Sequence, residues 1–307
     1  MRRFPACRAP VAAGMIAVMR RLLPILALLL PNVAIAAPSP SEIVAHAPGT
    51  AWADVPADRL LVMTLGDGAQ IVIELAPQFA PVHTGNIVHL ARAHAWDGGA
   101  VIRVQDNYVV QWAPRDEKAK PPVDFVAHPP AEYDRNRQGI AIRPLGFSDP
   151  YAPATGFAAG WPVGTDGNRV WLAHCYGMIG VARDMPPDTG DGQELYAVNG
   201  EAPRQLDRNL AVVGRVLTGM EHLGALPRGT AALGFYADKA QDIAIRSISL
   251  AVDLPRAQQP RLQVMRTDDA AFSAYLDARA NRTDPFFVQP AHGVTLCNVP
   301  VPTRRKP

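Results

Sequence analysis

The sequence predicts a mainly β protein, and three segments carry this prediction. Residues 60–65 and 69–75 are apolar runs joined by Gly-Asp-Gly, which is the pattern of a β-hairpin. Residues 101–111 hold two β-branched runs on either side of a Gln-Asp-Asn turn. Residues 243–252 alternate apolar and polar side chains, as a strand with one buried face does.

The composition is that of an ordinary globular protein. The chain has 307 residues and a net charge of +2, with 48% hydrophobic and 19% charged residues. This apolar content is sufficient for a sizeable core. The sequence has no basic stripe of the kind that nucleic-acid binding requires, so we expect no nucleic-acid partner. It also has no phosphate-binding loop or catalytic triad, and we expect no cofactor.

The N-terminus has the pattern of a targeting segment. Arg20 and Arg21 make residues 19–21 a basic start, residues 22–30 form a short apolar run, and Ala34-Ile35-Ala36 fits a cleavage site. We therefore interpret residues 1–36 as a signal peptide with an upstream extension, and expect the mature protein in a bacterial periplasm. No later apolar run reaches the ~20 residues of a membrane span, so we expect no membrane contact after cleavage.

Two cysteines follow the targeting segment, Cys175 and Cys297. An oxidising compartment permits a disulfide between them, which would tie the C-terminal tail to the middle of the chain. Two separate buried thiols are the alternative. The spacing alone does not decide between them, because bridging depends on three-dimensional geometry.

The first part of the mature chain combines an arm with a helix. Residues 37–58 are rich in proline and alanine, and we expect a poorly structured arm. Pro81 then opens a helix. His83, His89 and His94 are six and five residues apart, so they do not share one helical face. We therefore expect no metal site and place these histidines at the surface or at helix ends.

The hairpin at residues 101–111 combines polar and apolar side chains in an informative way. Alternation places Ile102 and Val104 on one face of the first strand and Arg103 on the other. In the second strand, Gln111 shares a face with Val109, so Arg103 and Gln111 can line one surface. Taken alone, the hairpin is also compatible with a single solvated surface arginine.

This hairpin resembles the signature hairpin of the cyclophilin family of peptidyl-prolyl cis/trans isomerases. The family carries a catalytic arginine, a pocket aromatic residue and a substrate-binding glutamine at the corresponding positions. The resemblance implies catalysis by Arg103 and substrate binding by Tyr108, Val109 and Gln111. The match departs from the family pattern at Val101, Ile102, Asp106 and Trp112.

Two later segments resemble the same family, in the family's order. Residues 181–195 match its Met-Ala-Asn/Arg run, variable loop and Ser-Gln-Phe-Phe, which implies that Ala182 and Gln193 bind substrate. Leu195 stands where a pocket phenylalanine is expected. Residues 206–216 resemble a barrel strand in which Leu206 would be a pocket leucine. A family histidine and tryptophan are replaced by Leu210 and Gln205.

The resemblance implies a closed antiparallel β-barrel capped by two helices, over residues 59–254. Residues 113–172 interrupt it with a proline-rich insertion of loops and short strands, which is either a functional lid or a loop packed on the barrel. Residues 255–307 form a C-terminal extension, in which Asp268 and Asp269 could cap a helix to about Ala280.

The implied function is isomerisation of prolyl bonds in proline-containing polypeptides, assisting the folding of exported proteins, by a monomer without a cofactor. The altered pocket positions favour an alternative, a proline-peptide-binding or chaperone module on the same barrel with little or no turnover. A third hypothesis is a scaffold that binds a partner through the insertion at residues 113–172.

Overall fold

The computed structural model describes residues 37–116 and 120–307, so the predicted signal peptide at residues 1–36 lies outside the described residues. None of the described helices has the length and apolar character needed to cross a bilayer. The α-helices within the described ranges are α1 (Pro40–Ala45), α2 (Pro81–Arg92), α3 (Met220–Gly224) and α4 (Ala270–Ala280).

The strands fall into three groups along the chain. Those before the insertion are β1 (Trp52–Asp54), β2 (Leu60–Leu65), β3 (Gln70–Leu75), β4 (Ala100–Val104) and β5 (Val109–Ala113). Those of the insertion are β6 (Arg135–Asn136), β7 (Arg143–Pro144), β8 (Ala154–Ala158), β9 (Trp161–Thr165) and β10 (Arg169–Leu172). The remainder are β11 (Met178–Val181), β12 (Leu195–Val198), β13 (Val212–Thr218), β14 (Ile243–Leu250), β15 (Leu262–Met265) and β16 (Thr303–Arg305).

Eight strands close into an antiparallel barrel in the order β11-β12-β5-β4-β14-β2-β3-β13. Its interior is filled by alternate apolar side chains such as Met63, Ile73 and Trp112. Helices α2 and α3 cover the barrel by adding Leu90 and Leu223 to the same core. The mainly β class and the closed barrel with two helices are therefore confirmed.

A β-bulge in β4 decides which side chains of the central hairpin face the interior. The register pairs Val101 with Trp112 and Arg103 with Gln111, with a shift between Val101 and Arg103. Because a bulge inserts an extra residue, Val101 and Val104 both lie in the barrel core. The prediction that Ile102 and Val104 share a face is wrong for this reason. Arg103 faces outward opposite Gln111, as predicted.

The insertion forms a sheet of its own, in the order β6-β10-β9-β8-β7. Phe157 and Trp161 of this sheet belong to one apolar cluster with Val109 and Val212 of the barrel. The sequence left two alternatives for residues 113–172, and in the structure this segment packs on the barrel.

The N-terminal arm is ordered, which corrects the expectation for residues 37–58. Its strand β1 pairs with β15 of the C-terminal extension, and β15 also pairs with β16. Trp52 is buried beside this pairing, and Ile43 of α1 packs on the same cluster as Phe272 of α4. The prediction failed because the arm's partners lie more than 200 residues further along the chain, beyond any local pattern.

The elements near the C-terminus follow the sequence more closely. Helix α4 begins after Asp269, whose carboxylate accepts from the backbone N–H of Ala271, and ends at Ala280 as predicted. The strand predicted from residue 206 starts only at Val212, because residues 202–206 form a 3-10 turn.

A disulfide joins Cys175 to Cys297, with the two Cα atoms 4.9 Å apart. It links the chain just after the insertion, before β11, to the C-terminal extension. Of the two alternatives for these cysteines, the structure contains the bridge.

Replacing Cys175 and Cys297 by serine should lower the free energy of unfolding by about 2–4 kcal/mol, because the bridge restricts the unfolded chain across 122 residues. Urea unfolding followed by circular dichroism measures this loss. Dithiothreitol should destabilise the natural protein by a similar amount and leave the double variant unchanged. Equal stabilities of the variant and the oxidised natural protein would contradict the prediction.

Candidate active site

Three hydrogen bonds hold the guanidinium group of Arg103 on the outer face of β4. Nη1 donates to Oε1 of Gln111 across the strand pair, at 3.1 Å. Nε donates to the backbone carbonyl of Leu233 at 2.6 Å, and Nη2 donates to the side-chain oxygen of Gln105. These acceptors give the group one orientation, unlike the solvated surface arginine that the hairpin alone also allowed.

Two aromatic rings flank this guanidinium. Its Cζ atom lies 5.5 Å from the ring centre of Tyr108 and 5.2 Å from that of Phe235, within the range of cation–π contacts. Desolvation in this half-buried position lowers the pKa of Arg103 from its usual value. Arginine nevertheless keeps its charge at neutral pH. The site therefore presents a partly desolvated cation, whose hydrogen bonds are stronger than those of a hydrated one.

Gln111 connects the arginine to a carboxylate. Its side chain is buried, accepts from Arg103 through Oε1, and donates from Nε2 to Oε2 of Glu194 at 2.6 Å. An amide oxygen facing a cation and an amide nitrogen facing an anion is the electrostatically favourable orientation. Gln111 is thus held at both ends of its amide group.

Several predicted site residues do come together on this face of the barrel. Tyr108 and Ala182 pack against the apolar cluster that includes Val109. Arg103 and Gln111 lie at the polar edge of this surface, since Tyr108 contacts the guanidinium. A guanidinium, a glutamine and an apolar surface therefore adjoin one another, as the hairpin pattern predicted.

Leu195 does not lie on this face, which corrects its assignment as a pocket residue. It pairs with Trp112 across the strands and is 1% exposed in the barrel core. The following residue, Tyr196, pairs with Gln111 and belongs to the outer cluster. Side chains alternate along a strand, so a shift of one residue in the match moves a side chain to the opposite face.

Gln193 and Leu206 occupy the edges of the region. The side-chain amide of Gln193 donates to Asp191 at 2.7 Å, and its backbone carbonyl accepts from the indole of Trp96. It is therefore Glu194, the next residue, that contacts Gln111. Leu206 ends a 3-10 turn and is half-buried.

A buried polar network fixes Tyr196 beneath the site. The hydroxyl of Tyr196 lies 2.9 Å from Nε2 of His174, and Nδ1 of His174 lies 3.0 Å from Asp207. Burial holds the pKa of Tyr196 well above its usual value, so the phenol stays neutral. Arg204 compensates the charge of Asp207 at 3.0 Å. Each polar group of this network has a partner, which is the condition for burying it without a large free-energy cost.

Sequence reasoning missed Phe235, Leu233 and Glu194. Phe235 and Leu233 lie 130 or more residues beyond Arg103, in a loop that bridges to β4. No periodicity marks such a loop residue, because its position depends on the path of the chain after α3. Glu194 lies within residues 181–195, the segment that resembles the family, and its charge directly before an apolar strand was the available signal.

The histidines of α2 also differ from expectation. His83 lies in the first turn of the helix, as predicted for a helix end, but it is fully buried and its Nδ1 atom is 2.7 Å from Glu132 of the insertion. Burial alone would raise the pKa of Glu132, but hydrogen bonds from His83 and Val82 outweigh it and lower the pKa. The described residues contain no group of three or more side chains arranged to hold a metal ion.

The barrel and its arginine–glutamine face define the class of the protein. The family model for the cyclophilin type peptidyl-prolyl cis-trans isomerase matches residues 60–249, which is more than half of the chain. The chain therefore belongs to the cyclophilin-type peptidyl-prolyl cis-trans isomerase family, and the predicted resemblance is confirmed.

One solved cyclophilin structure has a similar fold. The structure is similar to cyclophilin AquaCyp293 from Hirschia baltica, with 25% identity and a TM-score of 0.65 over 82% of this chain and 92% of that one. Two structures of a Cryptosporidium parvum cyclophilin type isomerase match weakly. One was determined in the presence of the dipeptide Ala-Pro; it has 12% identity and a TM-score of 0.39, and the match covers 62% of this chain and 98% of that one. The other has 14% identity and a TM-score of 0.39, and the match covers 62% of this chain and 96% of that one. No curated protein sequence matches this chain significantly.

Replacing Phe235 by alanine should lower kcat/KM for a proline peptide by about 2- to 10-fold, because the guanidinium of Arg103 loses one of its two flanking rings. A protease-coupled isomerisation assay measures this value. Phe286→Ala is the matched control, since this ring is 84% exposed and lies outside the site. An unchanged kcat/KM in Phe235→Ala would show that this ring has no role in the functional site.

Proposed function

We propose that this protein isomerises X–Pro bonds in exported polypeptides, with Arg103 as the catalytic residue. The observation that carries the proposal is the placement of Arg103, held between two aromatic rings and bonded to Gln111 on the outer face of the barrel. This arrangement joins a fixed cation to an apolar surface.

The reaction needs a donor and a binding surface, without an acid, a base or a nucleophile. Amide resonance sets a barrier of ~18–20 kcal/mol to rotation about a peptide bond. For X–Pro both isomers are populated, so a catalyst only has to favour the twisted state between them. In that state resonance is lost and the proline nitrogen becomes pyramidal and basic.

Arg103 supplies the donor to that nitrogen. A guanidinium has five N–H groups, and three of them take part in the bonds to Leu233, Gln105 and Gln111. Two therefore remain to donate to substrate. A hydrogen bond to the pyramidal nitrogen stabilises the twisted amide more than either planar isomer, which lowers the barrier.

The neighbouring residues would position the peptide. Tyr108 and Ala182, with Leu206 at the edge, would contact the proline ring. Val109 is 2% exposed within the apolar cluster and is not accessible to a peptide, which corrects its assignment as a substrate-binding residue. Gln111 and Gln193 would hold the backbone that flanks it. Leu195 has no part in this pocket, because it lies in the barrel core. Tyr196, on the outer face, lies beneath the site at the place that Leu195 was expected to occupy.

Export is the second part of the proposal. The basic, apolar and A-x-A pattern at residues 19–36 supports cleavage after Ala36 and a periplasmic location. The disulfide between Cys175 and Cys297 is in keeping with an oxidising compartment.

A binding module with little turnover is the second candidate function. One observation favours it: Arg103 already donates to Leu233 and Gln105, so a substrate meets a cation with part of its capacity in use. A module of this kind would bind proline peptides without accelerating their isomerisation.

Arg103→Ala should reduce kcat/KM on a proline tetrapeptide by about 100-fold or more, because the donor to the twisted amide is lost. The matched control is Arg246→Ala, an exposed arginine of β14 that donates to a backbone carbonyl. Peptide affinity should be measured alongside by calorimetry.

If natural protein and Arg103→Ala bind the peptide equally and neither accelerates isomerisation, the binding module is correct. If Arg103→Ala keeps full turnover, the role assigned to Arg103 is wrong.

Expression of residues 1–307 in a Gram-negative host should yield a periplasmic protein that begins at Ala37, because Ala34-Ile35-Ala36 fits the cleavage site. Intact-mass spectrometry of the osmotic-shock fraction measures the start. Ala36→Phe should block cleavage. An uncleaved natural protein in the cytoplasm would contradict the export proposal.

A further inference from the structure

A large cavity lies on a different part of the molecule from Arg103. Its volume is about 760 Å³, and it is lined by the barrel strands β3 and β13, the arm, the inserted sheet and the C-terminal extension. None of Arg103, Tyr108 and Gln111 lines it. The elements added to the barrel therefore border a concave space, of a size typical for small-molecule sites.

The carboxylates of this cavity are all compensated by cations. Three carboxylates line it, and each forms an ion pair: Asp54 with Lys306, Glu74 with Arg215 at 2.7 Å, and Asp268 with Arg266 at 3.2 Å. No negative charge is left in the lining for a further cation.

Three arginines of the same lining have no carboxylate partner among the described residues: Arg59, Arg135 and Arg143. Nη1 of Arg143 donates to Oγ of Ser273 at 2.9 Å, and its guanidinium lies over the ring of Phe272. Arg135 donates to a backbone carbonyl. These neutral partners orient the two groups without cancelling their charges. The cavity therefore carries an excess of positive charge.

Most of the remaining wall is apolar. Phe79, Phe157 and Val264 line the cavity, together with Trp161, whose ring lies 4.2 Å from the guanidinium of Arg215. Apolar walls lower the local dielectric constant and so strengthen the field of the uncompensated arginines. A ligand that fits must bring both an anionic group and an apolar body.

We infer that this cavity binds a small amphipathic organic anion, a carboxylate or phosphate ester with an aliphatic or aromatic body. The anionic group pairs with Arg59, Arg135 and Arg143, because guanidinium groups match carboxylate and phosphate oxygens in geometry. The apolar body lies against Trp161 and Phe79, where it is removed from water.

Isothermal titration calorimetry of the mature protein with decanoate tests this inference, with decanol as the neutral analogue and inorganic phosphate as the bare anion. Decanoate should bind with a Kd below about 100 μM, which is an attainable affinity for so small a ligand. Decanol and phosphate should each bind at least about tenfold more weakly, since each lacks one of the two interactions.

The double variant Arg59→Gln/Arg135→Gln should weaken decanoate binding by about tenfold or more, because it removes two exposed charges from the lining. Arg256→Gln, an exposed arginine outside the cavity, is the matched control and should bind as the natural protein does. Arg103→Ala should also bind decanoate normally, so this result is independent of the isomerase assay.

The inference is overturned by equal binding of decanoate and decanol, by an unchanged Kd in the double variant, or by no decanoate binding up to millimolar concentration. Tight binding of a deca-glutamate peptide without decanoate binding would assign the arginines to an acidic polypeptide and would also overturn it. Equal melting temperatures of all variants ensure that a lost signal reports the cavity.

Discussion

The bulge in β4 is the constraint on which the candidate site depends. A regular strand would place residues 101 and 103 on the same face, so a buried Val101 would bring Arg103 inward with it. The extra residue lets Val101 and Val104 fill the barrel while Arg103 turns outward, opposite Gln111. A guanidinium inside this apolar core would carry a large desolvation cost. One backbone irregularity therefore allows both a well-packed apolar core and an arginine on the outer face.

Contacts from distant parts of the chain then fix the orientation of the outward-facing Arg103. The loop after α3 brings Phe235 and the carbonyl of Leu233 to the guanidinium, and Glu194, directly before β12, contacts Gln111. Each contact removes rotational freedom from a long polar side chain. The proposed role of Arg103 requires this preorganisation, since its donor would act only on a short-lived twisted amide. The proposed chemistry requires few groups, which is compatible with the replacement of the family's tryptophan by Gln205.

The arm, the inserted sheet and the C-terminal extension, which are the additions to the barrel, are held to one another and to the barrel by direct contacts. The arm supplies β1 to a sheet whose other strands come from the C-terminal extension, and the inserted sheet packs on the barrel through Phe157 and Trp161. The disulfide ties the C-terminal extension to the segment that follows the insertion. Glu74 of β3 and Arg215 of β13 form a buried ion pair on the side of the barrel that faces these additions. Arg215 also donates to the carbonyl of Gly160 in the insertion. These contacts enclose the cationic cavity, which a bare barrel would leave as open surface.

The sequence by itself determined the β class, the first hairpin, the capped helix α4 and the partnership of Arg103 with Gln111. All of these follow from local periodicity, turn residues or one short motif, because neighbours in the chain are neighbours in space there. Only the tertiary structure decided that Leu195 faces the core, that the arm forms a helix and a paired strand, and that Phe235 and Glu194 complete the site. A one-residue shift of register reverses the face of a side chain, and strand partners more than 200 residues apart leave no local signal. Both depend on how the barrel closes, which is a property of the whole fold.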